Sequence, residues 1–283
     1  MFIEENKERA ENLEFEIEKI TLPSNFRVSI INSQFHNVID GLLKELEQSK
    51  NILAPTFAFI DPFGFSGIPF SIVRRLLKIK GVEVFITFMK DSINRFITDS
   101  QNNSHIIELF GSSEVVNIIE KSKNRVNDLR KFYQDQLKKV AEFVRYFEMR
   151  DSKDRPIYDL FFATNHRMGH IKMKEAMWRF DDLGYFRFSD ATDSNQVVLF
   201  KREIDKEIFL FLDSIRSKNT IEVEILEKYI EDKTAYLSKH LKKALLYAEK
   251  NHLIAVSTLK KDGSKRKSGT FPKGTIINFV NKK

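Results

Sequence analysis

Two short segments, Phe57-Ala58-Phe59-Ile60 and Val84-Phe85-Ile86-Thr87-Phe88-Met89, are apolar over most of their length. They lack the alternation of a half-exposed strand and are too short for a buried helix, so each reads as a strand covered on both faces. The chain must therefore supply layers of helix around a sheet. Runs rich in β-branched and aromatic residues predict strands over 2–4, 27–32, 56–61, 83–89 and 158–164, with an antiparallel-looking pair near 185–188 and 197–200. Apolar spacings of three and four predict helices over 5–20, 37–48, 69–77, 92–98 and 168–180. A long charged helix over 122–147 interrupts the alternation as part of a helical insertion spanning about 104–150. Strand alternating with helix is the α/β pattern, and a Rossmann-like, doubly wound parallel sheet follows. Ligands of such sheets bind beyond the carboxyl ends of the strands. Glu4, Asn32-Ser33-Gln34, Asp61 and Asn165-His166 stand there.

From Arg202 the pattern changes to three helices, over 204–215, 222–230 and 236–250, then two strands over 253–259 and 275–280 around a basic loop. That order predicts a winged helix and divides the chain into domains 1–201 and 202–283. Charge divides in the same way. Residues 1–201 carry 29 basic and 29 acidic side chains, whereas 239–283 carry 12 and 2. All of the formal excess of +7 is C-terminal, which favours contact with a polyanion there. Helix 236–250 occupies the recognition position with Lys239, His240, Lys242 and Lys243 near one side, and the wing carries Lys260, Lys261, Lys265, Arg266 and Lys267. Basic side chains in those places neutralise phosphates of DNA or RNA. A protein-docking module with a solvated basic end is the alternative.

The most specific string is Phe59-Ile60-Asp61-Pro62-Phe63-Gly64-Phe65-Ser66-Gly67-Ile68-Pro69. An aspartate at a strand end followed by proline and an aromatic suits amino-group methyl transfer. Asp61 accepts hydrogen bonds from the amine, Pro62 fixes the turn and Phe63 stacks on a planar base. The chemistry asked of them is mainly positioning. Otherwise Asp61 simply caps the helix that begins near Ile68. Glu4, at the end of a strand, is placed to bind ribose hydroxyls through paired hydrogen bonds, or else merely to start the next helix. His166 stands where it could position substrate or act as a base, and Lys172 and Lys174 follow it as candidate phosphate contacts. His166 and His170 are four apart with no acidic partner completing a zinc signature, so no metal site is expected.

The chain has no cysteine, which excludes disulfides, thiolate metal sites and cysteine nucleophiles and fits a reducing compartment. No apolar run approaches about 18 residues, and the N-terminus lacks a basic segment followed by an apolar one. A soluble, cytoplasmic protein without a membrane partner is expected.

The Asp61 string with Arg74-Arg75-Leu76-Leu77, then Glu83-Val84-Phe85-Ile86 with Asn94-Arg95-Phe96, then Thr164-Asn165-His166 with Met173-Lys174-Glu175-Ala176-Met177-Trp178, and the closing Arg266-Lys267-Ser268-Gly269-Thr270-Phe271-Pro272 together resemble the three-Cys-motif partner family (TcmP). The resemblance implies a class I methyltransferase-type Rossmann sheet with a C-terminal winged helix, S-adenosylmethionine as cofactor, and a three-cysteine radical-SAM-like protein as partner. It puts Glu4, Gln34, Phe35 and Asp61 at the cofactor. Phe2-Ile3-Glu4 then corresponds to the second strand of that sheet and Ser29-Ile30-Ile31-Asn32-Ser33-Gln34-Phe35 to the third. The first strand and its glycine-rich loop are absent, and Gln34 stands where an acidic residue contacting adenine is often found. Two functions are expected on this basis: a methyltransferase acting on nucleic acid, or a catalytically inactive adaptor that binds it.

Overall fold

The computed structural model describes residues 1–49, 51–62, 67–90, 93, 95, 103–181, 185–189, 203–215 and 220–280. The chain forms two compact units, Met1–His166 and Arg167–Lys283.

The first unit is mixed α/β. In chain order it contains β1 (Phe2–Glu4), α1 (Lys7–Glu18), β2 (Ile30–Asn32), α2 (Phe35–Gln48), β3 (Thr56–Ile60), α3 (Phe70–Lys78) and β4 (Val82–Phe88). These are followed by α4 (Asn103–Phe110), α5 (Glu114–Lys121), α6 (Arg125–Lys138), β5 (Phe143–Arg150) and β6 (Pro156–Thr164). Its strands fall into two sheets. β1 and β2 pair in parallel, with Phe2 opposite Ile30 and Glu4 opposite Asn32. In the larger sheet the neighbours run β3-β4-β6-β5. β3 and β4 are parallel, while β6 is antiparallel to both β4 and β5. Three of these four strands thus share a direction and β6 alone is reversed, a departure from the all-parallel expectation.

The reversal has a local cause. β5 and β6 form a hairpin whose turn is closed by Asp151: its carboxylate accepts from the amides of Lys153 and Arg155 at 2.9 Å each, and Arg155 forms an ion pair with it. Asp154 sits in the turn at φ 56, a conformation aspartate tolerates because its short polar side chain bonds locally. A hairpin forces antiparallel pairing. The same region corrects the long helix expected over 122–147. The helix ends at Lys138, and Phe143-Val144-Arg145-Tyr146-Phe147 is instead strand β5. Its apolar spacing fits either period; pairing along β6 decides the matter, with Phe143, Val144 and Phe147 buried.

The core of this unit lies between β4 and the helices. Val84, Ile86 and Phe88 point one way from β4 onto Val73, Leu76 and Leu77 of α3 and onto an aromatic cluster. Phe88 stacks on Tyr133 of α6 with centroids 4.7 Å apart, and Phe110 and Phe161 meet Tyr133 edge-on. Such offset and edge-to-face pairs add to the burial of their area. Gly111 ends α4 at φ +65, and a Cβ there would lie 2.7 Å from the Phe70 ring, so the position demands glycine on two counts.

The second unit holds α7 (Arg167–Phe180), β7 (Arg187–Ser189), α8 (Ile204–Ile215), β8 (Thr220–Glu222), α9 (Val223–Lys233), α10 (Ser238–Lys250), β9 (Ile254–Val256) and β10 (Ile276–Phe279). β10 lies between β8 and β9, antiparallel to each. Ile208, Leu212, Leu226, Ile230, Leu241, Leu245 and Ile277 form its core. The boundary after His166, rather than after residue 201, reflects what α7 packs against. Trp178 donates from Nε1 to the carbonyl of Ala235 at 2.8 Å and lies 4.2 Å from the His240 ring. Sequence periodicity shows that α7 has a buried face, but not which partner buries it. The strand expected over 197–200, most of the helix over 92–98, and Phe63 lie outside the described residues.

Candidate functional site

Glu4 and Asp61 each follow the expectation of standing at the carboxyl end of a strand, at the end of β1 and just beyond β3. Asp61 is exposed and Pro62 half-buried. Glu4 is engaged locally: its Oε1 accepts from the Asn6 amide at 2.8 Å, immediately before α1. Asn32 donates from its side chain to the carbonyls of Glu4 and Glu5, and Gln34 donates to Glu5 Oε1 at 2.8 Å while accepting from Asn37 at 3.2 Å. Phe35 opens α2 and packs on the hydrophobic core. Local capping and packing thus occupy three of the side chains expected at a cofactor.

His166 is a correction. Because β6 is reversed, its carboxyl end lies at the amino edge of β4: Thr164 pairs with Glu83, whereas Ile60 pairs with Ile86. Asp61 is therefore level with Thr87, four strand positions or roughly 13 Å from Thr164, with His166 further on. Asp61 and His166 thus stand at opposite edges of the sheet rather than side by side. The neighbouring Asn165 has a structural task at that edge, donating to the Leu77 and Val140 carbonyls and accepting from the Glu142 amide at 2.7 Å.

What does stand at the carboxyl edge of the larger sheet is a cluster that sequence reading missed. Lys90, wholly buried just past β4, donates to Glu148 of β5 and to Asp159 of β6, both at 2.9 Å. Arg130 reaches in from α6, bonding Asp159 at 2.7 Å and pairing with Glu148, and its guanidinium lies 4.8 Å from the Tyr146 ring. Arg150 holds the other oxygen of Glu148 at 2.7 Å and pairs with Asp154 at the hairpin turn. Burial alone would raise the Glu148 carboxyl, but its bonds to Lys90 and Arg130 overcome that and hold it at about 2. Three cations meet three carboxylates, so the network is neutral and its polar atoms are matched. It clamps α6 and the hairpin to β4 and offers no free charge to a ligand. A carboxylate inside each of two adjacent strands, at Glu148 and Asp159, was the available signal.

In the second unit, α7 also corrects an expectation. Lys174 is wholly buried and donates to the carbonyls of Ile230 and Glu231 at 3.2 and 2.8 Å, while His170 Nε2 lies 2.9 Å from the same Glu231 carbonyl. These are the last carbonyls of α9, which lack helical partners and carry the negative end of the helix dipole. Lys174 is therefore a helix cap rather than a phosphate contact, and Lys172 pairs with Glu175. Arg167 pairs with Glu231 and Asp232 at the same helix end.

The basic face survives on α10. Leu241, Ala244, Leu245 and Ala248 are buried, so Lys239, Lys242, Lys243, Leu246 and Lys250 form the opposite, exposed side. None of these four lysines forms an ion pair among the described residues. The wing lies against the C-terminal half of the helix. Arg266, 5% exposed at its side chain, bonds Glu249 of α10 at 2.6 Å, the carbonyls of Ser257 and Thr270, and the face of Phe271. Gly269 lies beside Leu246, since a Cβ there would meet Leu246 Cδ2 at 3.6 Å. Arg266 is thus a pin rather than a phosphate contact. Lys261 pairs with Glu222 at 2.9 Å and Lys260 is mostly covered near Asp262, whereas Lys265 and Lys267 remain exposed. Six exposed lysines thus lie on α10 and on the loop between β9 and β10, which the Arg266–Glu249 ion pair joins.

A scan against protein-family models and searches of curated proteins and of solved structures found no match to this chain. Among the described residues no group of three or more histidine or acidic side chains is placed to hold a metal ion, and no helix is long and apolar enough to cross a membrane.

Proposed function

We propose that the chain is a nucleic-acid-binding adaptor that engages phosphates through its second unit, with the first unit a methyltransferase-like scaffold. The observation that carries this reading is the exposed lysine face of α10 with the wing pinned beside it. The order α8-β8-α9-α10-β9-β10 supports reading the unit as a winged helix in which α10 takes the recognition position. Six lysines that each displace a counterion give a slope of about −5 for log affinity against log salt. Affinity should then fall by about three powers of ten between roughly 50 and 200 mM salt. Fluorescence anisotropy with a labelled oligonucleotide measures this. Replacing Lys239, Lys242, Lys243 and Lys250 by glutamine should bring the slope to about −2; an unchanged slope would remove the reading. On the family resemblance, the protein that receives the nucleic acid is the three-cysteine radical-SAM-like partner.

A second reading, methyl transfer, has one observation in its favour. β1 and β3 are both edge strands, each with a parallel neighbour, as a methyltransferase sheet would be without the strand between its second and fourth. The residues present do not fit the cofactor. Glu4 is turned back to the Asn6 amide at the start of α1, Gln34 is held between Glu5 and Asn37, and Phe35 packs on the hydrophobic core. Calorimetry with S-adenosylmethionine and with S-adenosylhomocysteine should give no binding heat.

A further inference from the structure

We propose that the ligand of the α10 face is double-helical B-form DNA, bound without sequence preference; this rests on the nucleic-acid reading above and narrows it. Base sequence is read most sharply by residues that hold paired donors and acceptors in a fixed geometry, namely arginine, asparagine and glutamine; lysine also meets guanine, but as a flexible point charge without a rigid fork. The exposed side of α10 presents lysine ammonium groups and the Leu246 methyls, with none of those three residue types. Four neighbouring polar groups are spent within the protein. Ser238 donates to Glu231, the Asn251 amide caps α10 by donating to the Tyr247 carbonyl at 2.7 Å, and the Thr270 hydroxyl donates to the Lys267 carbonyl at 2.6 Å. Arg266 is consumed by Glu249 and two carbonyls. What faces outward is charge without a hydrogen-bonding code.

The same surface argues against the other nucleic acids. Single strands are held by bases stacking on exposed aromatic rings. The one aromatic on α10, Tyr247, is half-buried, and the aromatic of the wing, Phe271, is buried beneath the Arg266 guanidinium. Duplex RNA has a major groove too deep and narrow to admit a helix, whereas the B-form major groove, about 12 Å wide, accepts one. α10 has 13 residues and is therefore about 20 Å long, with its lysines repeating at three and four so that they follow one side. Lys265 and Lys267 sit on the wing at its C-terminal end, where they meet the phosphates bordering the groove.

The test is a panel titrated against the full chain by anisotropy at about 50 mM salt: two DNA duplexes of about 20 base pairs and unrelated sequence, their separated strands, and an RNA duplex. The expected result is that the two DNA duplexes bind within about threefold of each other and that the single strands and the RNA bind at least about tenfold more weakly. A larger difference between the duplexes overturns the absence of sequence preference. Single strands or RNA binding within that tenfold margin overturn the assignment to duplex DNA while leaving phosphate recognition standing. Binding of none of the probes would instead defeat the underlying nucleic-acid reading.

Discussion

Replacing Lys90 by methionine tests whether the buried charge cluster is a clamp. The substitution keeps the length and apolar stem of the side chain but removes its charge. Asp159, wholly buried, then keeps only Arg130, and Glu148 keeps Arg130 and Arg150. Breaking a buried ion pair from one side costs about 3–5 kcal/mol, because the partner is left as a poorly compensated charge. That is a large part of the roughly 5–15 kcal/mol that holds a typical domain folded. Lys7→Met, which removes an exposed pair with Glu11, is the control and should cost less than about 0.5 kcal/mol. Hydrogen exchange followed by mass spectrometry reads the effect locally, in the amides of β4, β5 and β6. At about 1.4 kcal/mol per power of ten, Lys90→Met should speed exchange there by roughly two to four powers of ten. The acid side moves with it. Glu148 is held at about 2, below its ordinary value of 4.5, so its stabilisation is present above about pH 4.5 and is lost as pH falls toward 2. Without Lys90 the folded-state value rises toward 4.5, so this contribution is smaller and is exhausted at a higher pH. A Lys90→Met protein whose exchange in these strands changes less than tenfold would refute the claim that the cluster carries the clamp.

Lys174→Met should destabilise the second unit by about 1 kcal/mol, since two α9 carbonyls lose the ammonium while the Ile230 carbonyl keeps the Thr234 hydroxyl at 2.6 Å and the Glu231 carbonyl stays 2.9 Å from His170 Nε2, and should leave the salt slope of nucleic-acid binding unchanged; denaturant unfolding and anisotropy read the two effects. Gly111→Ala forces a left-handed φ on alanine and drives its methyl into the Phe70 ring, with an expected cost of about 2–3 kcal/mol measured as a shift in denaturation midpoint. Glu249→Gln removes a negative charge close to the interface, so simple electrostatics would tighten binding; because Glu249 holds Arg266 and hence the wing, the expected result is weaker binding and a shallower slope. Burial, and then Lys239, Lys243 and Lys174, hold His240 at about 4, below its ordinary 6.5. A neutral native histidine favours folding fully above pH 6.5, with that contribution lost as pH falls through about 4. Fluorescence of Trp178, the chain's single tryptophan, with its ring centroid 4.2 Å from that of His240, should accordingly stay flat from pH 7 to about 5.

The apolar runs of β3 and β4, the spacing of α2, α3 and α10, and the charge divided between the ends were legible in the amino-acid order because each is a property of neighbouring residues; the covering of both faces read from the β3 run is not seen, since Phe57 and Phe59 are exposed there. So was the lysine face, since a helical repeat that buries Leu241, Ala244, Leu245 and Ala248 leaves only one side for Lys239, Lys242, Lys243 and Lys250. Direction was not legible. The β6 segment reads the same whether it runs with β4 or against it, and only the hairpin turned by Asp151 carried His166 to the edge away from Asp61. Nor does composition separate a lysine that meets phosphate from one that caps a buried helix end, or an arginine that meets solvent from one pinned to Glu249. Lys174, Lys90 and Arg266 took their roles from carbonyls and carboxylates distant in sequence, and a charge acquires its meaning from the partner and the dielectric around it. Local pattern marked most of the elements, β5 excepted, where pairing with β6 chose strand over helix; which charges remain free was decided by how those elements pack.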